Sequence, residues 1–154
     1  MRLRQLPIFL AALWWGGITG LSFVAVPTLF EALESPAVAG PVAARLFSLQ
    51  CLAGIALGAA LMLALRRQRK SLPHDASPQT VAALRSLLIT MGLVAVAALL
   101  AIVQEFGVAQ MIVGARASGG NLRLWHSLGS ALVLAQWLCT GAVLWRLAGP
   151  VARV

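Results

Sequence analysis

The residues of this chain best suited to chemistry are few, and they gather at one end of its apolar runs. His126 opens the last run, while Glu105, Gln110 and Met111 trail the one before it. Imidazole binds metals well and titrates near neutrality, so His126 with Met111, Gln110 or Glu105 beside it is a candidate ligand or proton-handling site. The same position equally suits a histidine that starts a helix at a wet interface and is hydrogen-bonded locally. His74 belongs to a polar linker at the opposite end of the spans, roughly 30 Å of hydrocarbon away. The two histidines cannot ligate one metal or one haem within a single chain, and a bis-histidine haem would need a second protomer or a partner protein. Cys51 and Cys139 fall about 9 Å and about 22 Å below the outer ends of their spans, counting about 1.5 Å per helical residue. That separation exceeds disulfide reach, so both read as small buried thiols. The chain has no Walker loop, HExxH, CxxC, GxSxG or dinucleotide fingerprint. Their absence weighs against an enzyme without removing that class.

Composition sets the elements that must position these residues. Of 154 residues, 60% are hydrophobic and 10% charged, and the mean hydropathy is +0.90. A soluble domain is roughly half apolar, so this is the composition of a membrane protein. A net charge of +8 on a soluble fold would suggest nucleic acid. Here the basic residues stand between apolar runs, where they act as topological anchors, and nucleic acid is not expected as a partner.

Four segments lack a formal charge over roughly 20 residues each, the length of a membrane-spanning helix: Leu6 to Val26, Leu46 to Leu65, Ser86 to Gln104 and Leu124 to Trp145. Lipid offers no partner to backbone amides, so each is expected to be helical, with helices over about 6–33, 42–66, 81–113 and 122–147 and a basic linker over 66–80. The expected fold is an all-α, single-domain antiparallel bundle of four transmembrane helices covering residues 1–154. Arg2, Arg4, Arg66, Arg67, Arg69, Lys70, Arg85, Arg146 and Arg153 fall on one side, against Arg45, Arg116 and Arg123 on the other. Nine against three places both termini and the linker in the cytoplasm of a bacterial inner membrane. The first run is too long for a signal-peptide core and is expected to stay as the first helix.

Within the spans, Gly16 with Gly20 and Gly54 with Gly58 form GxxxG pairs, expected to be intramolecular packing seams rather than a homodimer face. Pro27 is expected to kink or end the first helix. Ser35-Pro36 and Gly40-Pro41 are expected breaks, and Asn121 is an expected cap of the fourth helix. Gln136, buried by position, is expected to bond across helices. Glu31, Arg45, Glu105, Gln110, Arg116, Arg123 and His126 form an outer polar cluster, at a depth where charge is costly unless paired or hydrated.

Several of these motifs carry a resemblance. The tryptophan-glycine stretch Trp14-Trp15-Gly16-Gly17, the segment Pro27-Thr28-Leu29-Phe30, Arg45-Leu46-Phe47 and the His126 helix start resemble four-helix membrane proteins related to transmembrane protein 205, a domain of unknown function. The resemblance implies no defined reaction. The function expected of the chain is that of a non-enzymatic scaffold, partner subunit or transport-related component whose outer polar cluster contacts something on the outer side, in contact with the lipid bilayer, with a protein partner or homo-oligomer and no cofactor. A more distant similarity to four-helix proteins of copper uptake and haem-pathway oxidation implies the alternative, a haem- or copper-binding redox protein with His126 and Met111 as ligands.

Overall fold

The computed structural model describes residues 5–33, 35–73, 75 and 77–149. Arg2, Arg4, Glu34, His74 and Arg153 lie outside them. The described residues form helices joined by short turns, with no strand among them. Four helices are long and apolar enough to cross a membrane: α1 (Leu6–Ala32), α2 (Pro36–Lys70), α3 (Pro78–Ser118) and α4 (Leu122–Ala148).

Their ends follow local chemistry. Ser35 is extended and Pro36 begins α2, where a missing amide proton costs nothing. Pro41, expected as a second break, lies inside α2. The carbonyl it deprives of a partner belongs to exposed Ala37 in the first turn, close enough to the helix end to be hydrated. The basic run 66–70 was expected in the linker but is the last part of α2, with residues 71–77 between α2 and α3. Cations in a final helical turn interact favourably with its unpaired carbonyls, so the helix gains by keeping them. The Ser77 side chain accepts the Thr80 amide at 3.3 Å to cap α3, and Asn121 Oδ1 accepts the Leu124 amide at 3.0 Å to cap α4. Between α3 and α4, Gly119 turns the chain at φ 72°, a left-handed conformation that glycine adopts without penalty.

Two of the helices widen along their length. In α1 the residues Leu21–Ala25 form a π-turn, with the Val26 amide bonded to the Leu21 carbonyl. Pro27, where a kink or an end was expected, follows at once; a wider turn gives its ring room beside the preceding carbonyls, and α1 continues to Ala32. In α3 a second π-turn spans Gln104–Val108, and the helix continues through it past Gly107.

Each helix packs on two others, α1 on α2 and α4, and α3 on α2 and α4. Ser22 meets Gln50 while Trp14 meets Gly54 and Gly58, the pairing of helices that run in opposite directions. Trp14 is 2% exposed and anchors a core that includes Ala11, Ile18, Leu61, Leu65, Val94, Ala97 and Val143. A Cβ on Gly54 would lie 2.8 Å from Trp14 Nε1, and one on Gly58 would lie 3.0 Å from its ring and 3.2 Å from Ala98 Cβ. The indole therefore occupies the space that two absent side chains leave. Gly16 and Gly20, expected in a similar seam, are exposed, and a Cβ on either would meet nothing within 4 Å. The outer faces are apolar, with Leu49, Leu63, Leu99 and Phe106 each more than half exposed, as a lipid-facing surface requires.

The two GxxxG pairs should respond differently to bulk. Gly58→Leu forces a side chain into the Trp14 ring and should lower stability in detergent by ~1–3 kcal/mol, the usual cost of overpacking. Gly16→Leu should leave the unfolding midpoint unchanged, and equal losses for both would show that Gly16 packs as tightly as Gly58.

Candidate functional site

The residues expected to form an outer cluster are distributed around the far end of the bundle. Glu31, Arg45, Gln110, Met111, Arg123 and His126 are exposed. His126 uses its backbone carbonyl to accept the Ser130 hydroxyl, while its ring is committed to no partner among the described residues. Arg116 lies over Gly40, bringing the end of α3 onto the first turns of α2. Glu105 alone of the group turns inward, and its carboxylate accepts a hydrogen bond from Ser48 at 2.5 Å. Among the described residues, no three of His, Cys, Asp and Glu are arranged to hold a metal ion. Among the described residues His126 belongs to no such group.

Below Glu105 runs a line of buried neutral polar groups. Ser22, in the π-turn of α1, donates to Gln50 Oε1 at 2.9 Å. Gln50 is 7% exposed, and Gln104, which opens the π-turn of α3, is 8% exposed. Gln104 packs on Gly129 of α4, where a Cβ would lie 3.3 Å from its amide nitrogen. Deeper, Gln136 of α4 donates to the Ala97 carbonyl of α3 at 3.2 Å, a bond across helices. Its amide nitrogen and Trp14 Nε1 both face the bare backbone of Gly54, at 3.3 and 2.8 Å from the position of a Cβ there.

Three atoms of this seam are buried without a hydrogen-bond partner: Trp14 Nε1, Gln50 Nε2 and Gln104 Oε1. Each would cost about 1–3 kcal/mol if left unpaired. Two donors and one acceptor are groups that water, or a small neutral molecule that both accepts and donates, can satisfy. Below Glu105 the seam has no charged side chain, so it suits neutral hydrogen-bonding species better than ions. Cys51, adjacent to Gln50, is free and 1% exposed.

Sequence reasoning found Gln136 and its cross-helix bond but missed the seam as a whole. The available signal was three glutamines, Gln50, Gln104 and Gln136, in spans that are otherwise almost entirely apolar. Trp14 packs in the core, and its indole N–H also faces the seam.

Residues 9–121 match the domain of unknown function DUF4149. The match takes in nearly all of α1 together with α2 and α3, and so includes Trp14, Gln50 and Gln104, while His126, Gly129, Gln136 and Arg146 lie beyond it. Neither the comparison with curated proteins nor that with solved structures gave a match. With well over half of its length matched, the chain belongs to the DUF4149 family.

Proposed function

We propose that this is a non-enzymatic, multi-pass protein of a bacterial inner membrane. Its four helices form an up-down bundle with both termini and residues 71–77 in the cytoplasm. In this reading it is a transport-related component whose interior seam admits water and small neutral polar solutes from the outer side. The observation that carries the reading is the set of three unpartnered buried atoms, Trp14 Nε1, Gln50 Nε2 and Gln104 Oε1. Two of the three, Gln50 and Gln104, lie at π-turns, Gln50 bonded to Ser22 in one and Gln104 opening the other. Such turns free backbone groups from regular pairing and recur at functional sites. Orientation is supported by the nine-to-three distribution of basic residues, and the transport-related class by the resemblance to relatives of transmembrane protein 205.

A second reading, as a scaffold or partner subunit, draws on Gly16 and Gly20. They present a bare GxxxG on the outside of α1, a surface on which a second transmembrane helix can approach closely.

Flux separates the two. In proteoliposomes, water and urea should equilibrate faster than in protein-free vesicles, and Gly129→Leu, which fills the seam beside Gln104, should return both rates to the protein-free value. Rates indistinguishable from protein-free vesicles would refute the transport reading and leave the partner-subunit role. Orientation has its own check in cells lacking other reactive thiols. Gln79→Cys should react only with membrane-permeant reagents and Ser118→Cys with impermeant ones; the reverse pattern overturns the assignment.

A further inference from the structure

At the end of the bundle opposite Glu105, two surface grooves meet at one arginine. The first, of about 550 Å³, is lined by Pro78, Val81, Ala82, Arg85, Ser86 and Ile89 of α3 with Arg146 of α4. Its α3 residues recur every three or four positions and so form one helical face. The second, of about 560 Å³, runs past Trp15, Leu93, Trp137, Gly141 and Trp145 and again includes Arg146. Both are open and predominantly apolar.

Arg146 is held in place. Its Nε donates to Thr90 Oγ1 at 3.1 Å, and its Nη2 donates to the Ser86 carbonyl and hydroxyl, each at 3.2 Å. These bonds set the guanidinium plane and leave Nη1 with no acceptor among the described residues. Arg85, in the same groove, is exposed and makes no hydrogen bond there. Asp75 is the acidic residue at this end of the described structure, and it accepts from Thr80 at 2.6 Å rather than from either arginine. Trp145, 82% exposed beside Arg146, has the amphipathic ring that settles at the headgroup level of a bilayer.

We infer that this is a binding site for an anionic phospholipid. Its phosphate is held between Arg146 and Arg85, with one acyl chain in the α3 groove and the other in the groove floored by Trp15 and Trp137. One fixed positive centre with two apolar grooves diverging from it matches a molecule with one anionic head and two chains. Basic pockets between transmembrane helices recognise anionic headgroups in this way. The site is independent of the buried seam and stands or falls separately from it.

The test is lipid binding to the full-length protein in mild detergent, read by native mass spectrometry and by thermal stabilisation, with phosphatidylglycerol, phosphatidylcholine and inorganic phosphate as probes. Phosphatidylglycerol should bind and raise the unfolding midpoint, phosphatidylcholine should bind at least fivefold more weakly, and inorganic phosphate should not compete at millimolar concentration. Arg85→Gln, which removes no hydrogen bond of the fold, should weaken phosphatidylglycerol binding on the order of fivefold. Ala82→Trp, which fills the α3 groove at an exposed position, should weaken both lipids. Equal binding of the two lipids, unchanged affinity in Arg85→Gln, or displacement of lipid by inorganic phosphate would each overturn the proposal, the last in favour of a free-anion site.

Discussion

A polar group inside a bundle sheathed by lipid has no bulk solvent to turn to, and every buried donor or acceptor must be matched within the protein or by a molecule brought into it. Most of the interior polar groups meet this demand. Thr140 and Thr19 return their hydroxyls to carbonyls of the preceding turn, and the Trp137 indole donates to Thr19 at 2.9 Å while its ring stacks on Trp15. Gln136 reaches the Ala97 carbonyl. Against that background the unmatched atoms of Trp14, Gln50 and Gln104 stand out, because all three are buried.

Two of these residues, Gln50 and Gln104, lie where the backbone departs from regular form. Pro27 follows the π-turn in α1, whose wider turn relieves the crowding of its ring against the preceding carbonyls. The π-turn in α3 has no proline to account for it and begins at Gln104 itself, so there the widening coincides with the buried amide. The glycines complete the arrangement. Gly54 and Gly129 present bare backbone to Trp14, Gln136 and Gln104, and any side chain at either position would occupy the seam. Trp14 packs on Gly54 and Gly58 with its unpaired N–H against Gly54, and this residue joins the core to the site.

How much of this was legible in the sequence follows from the solvent on each side. Apolarity and length marked all four helices, because crossing hydrocarbon demands both. The cap at Asn121 and the break at Ser35-Pro36, where α2 begins, were legible because both are local chemistry. Pro41 and the basic run 66–70 misled for the opposite reason. Near a wet helix end the cost of a missing amide bond or of a charge is small, so neither stops a helix already nucleated by its apolar neighbours. Which face of each helix turns inward was not legible from apolar pattern, since lipid and protein interior are equally apolar. Gly16 and Gly54 therefore looked alike in sequence although one faces outward and the other lies beneath Trp14. The residues that do betray the inner face are the glutamines, which cannot face lipid cheaply.

Water in the seam beside Trp14 would be detected by water-edited solid-state NMR of the protein in bilayers, with the Trp14 indole N–H assigned through Trp14→Phe. If water occupies the seam, polarisation should pass from water to that N–H as quickly as to the exposed indole of Trp145. A Trp14 signal that stays dark while Trp145 builds up would mean a dry interior, and the seam would then be a structural cost of the fold rather than a site.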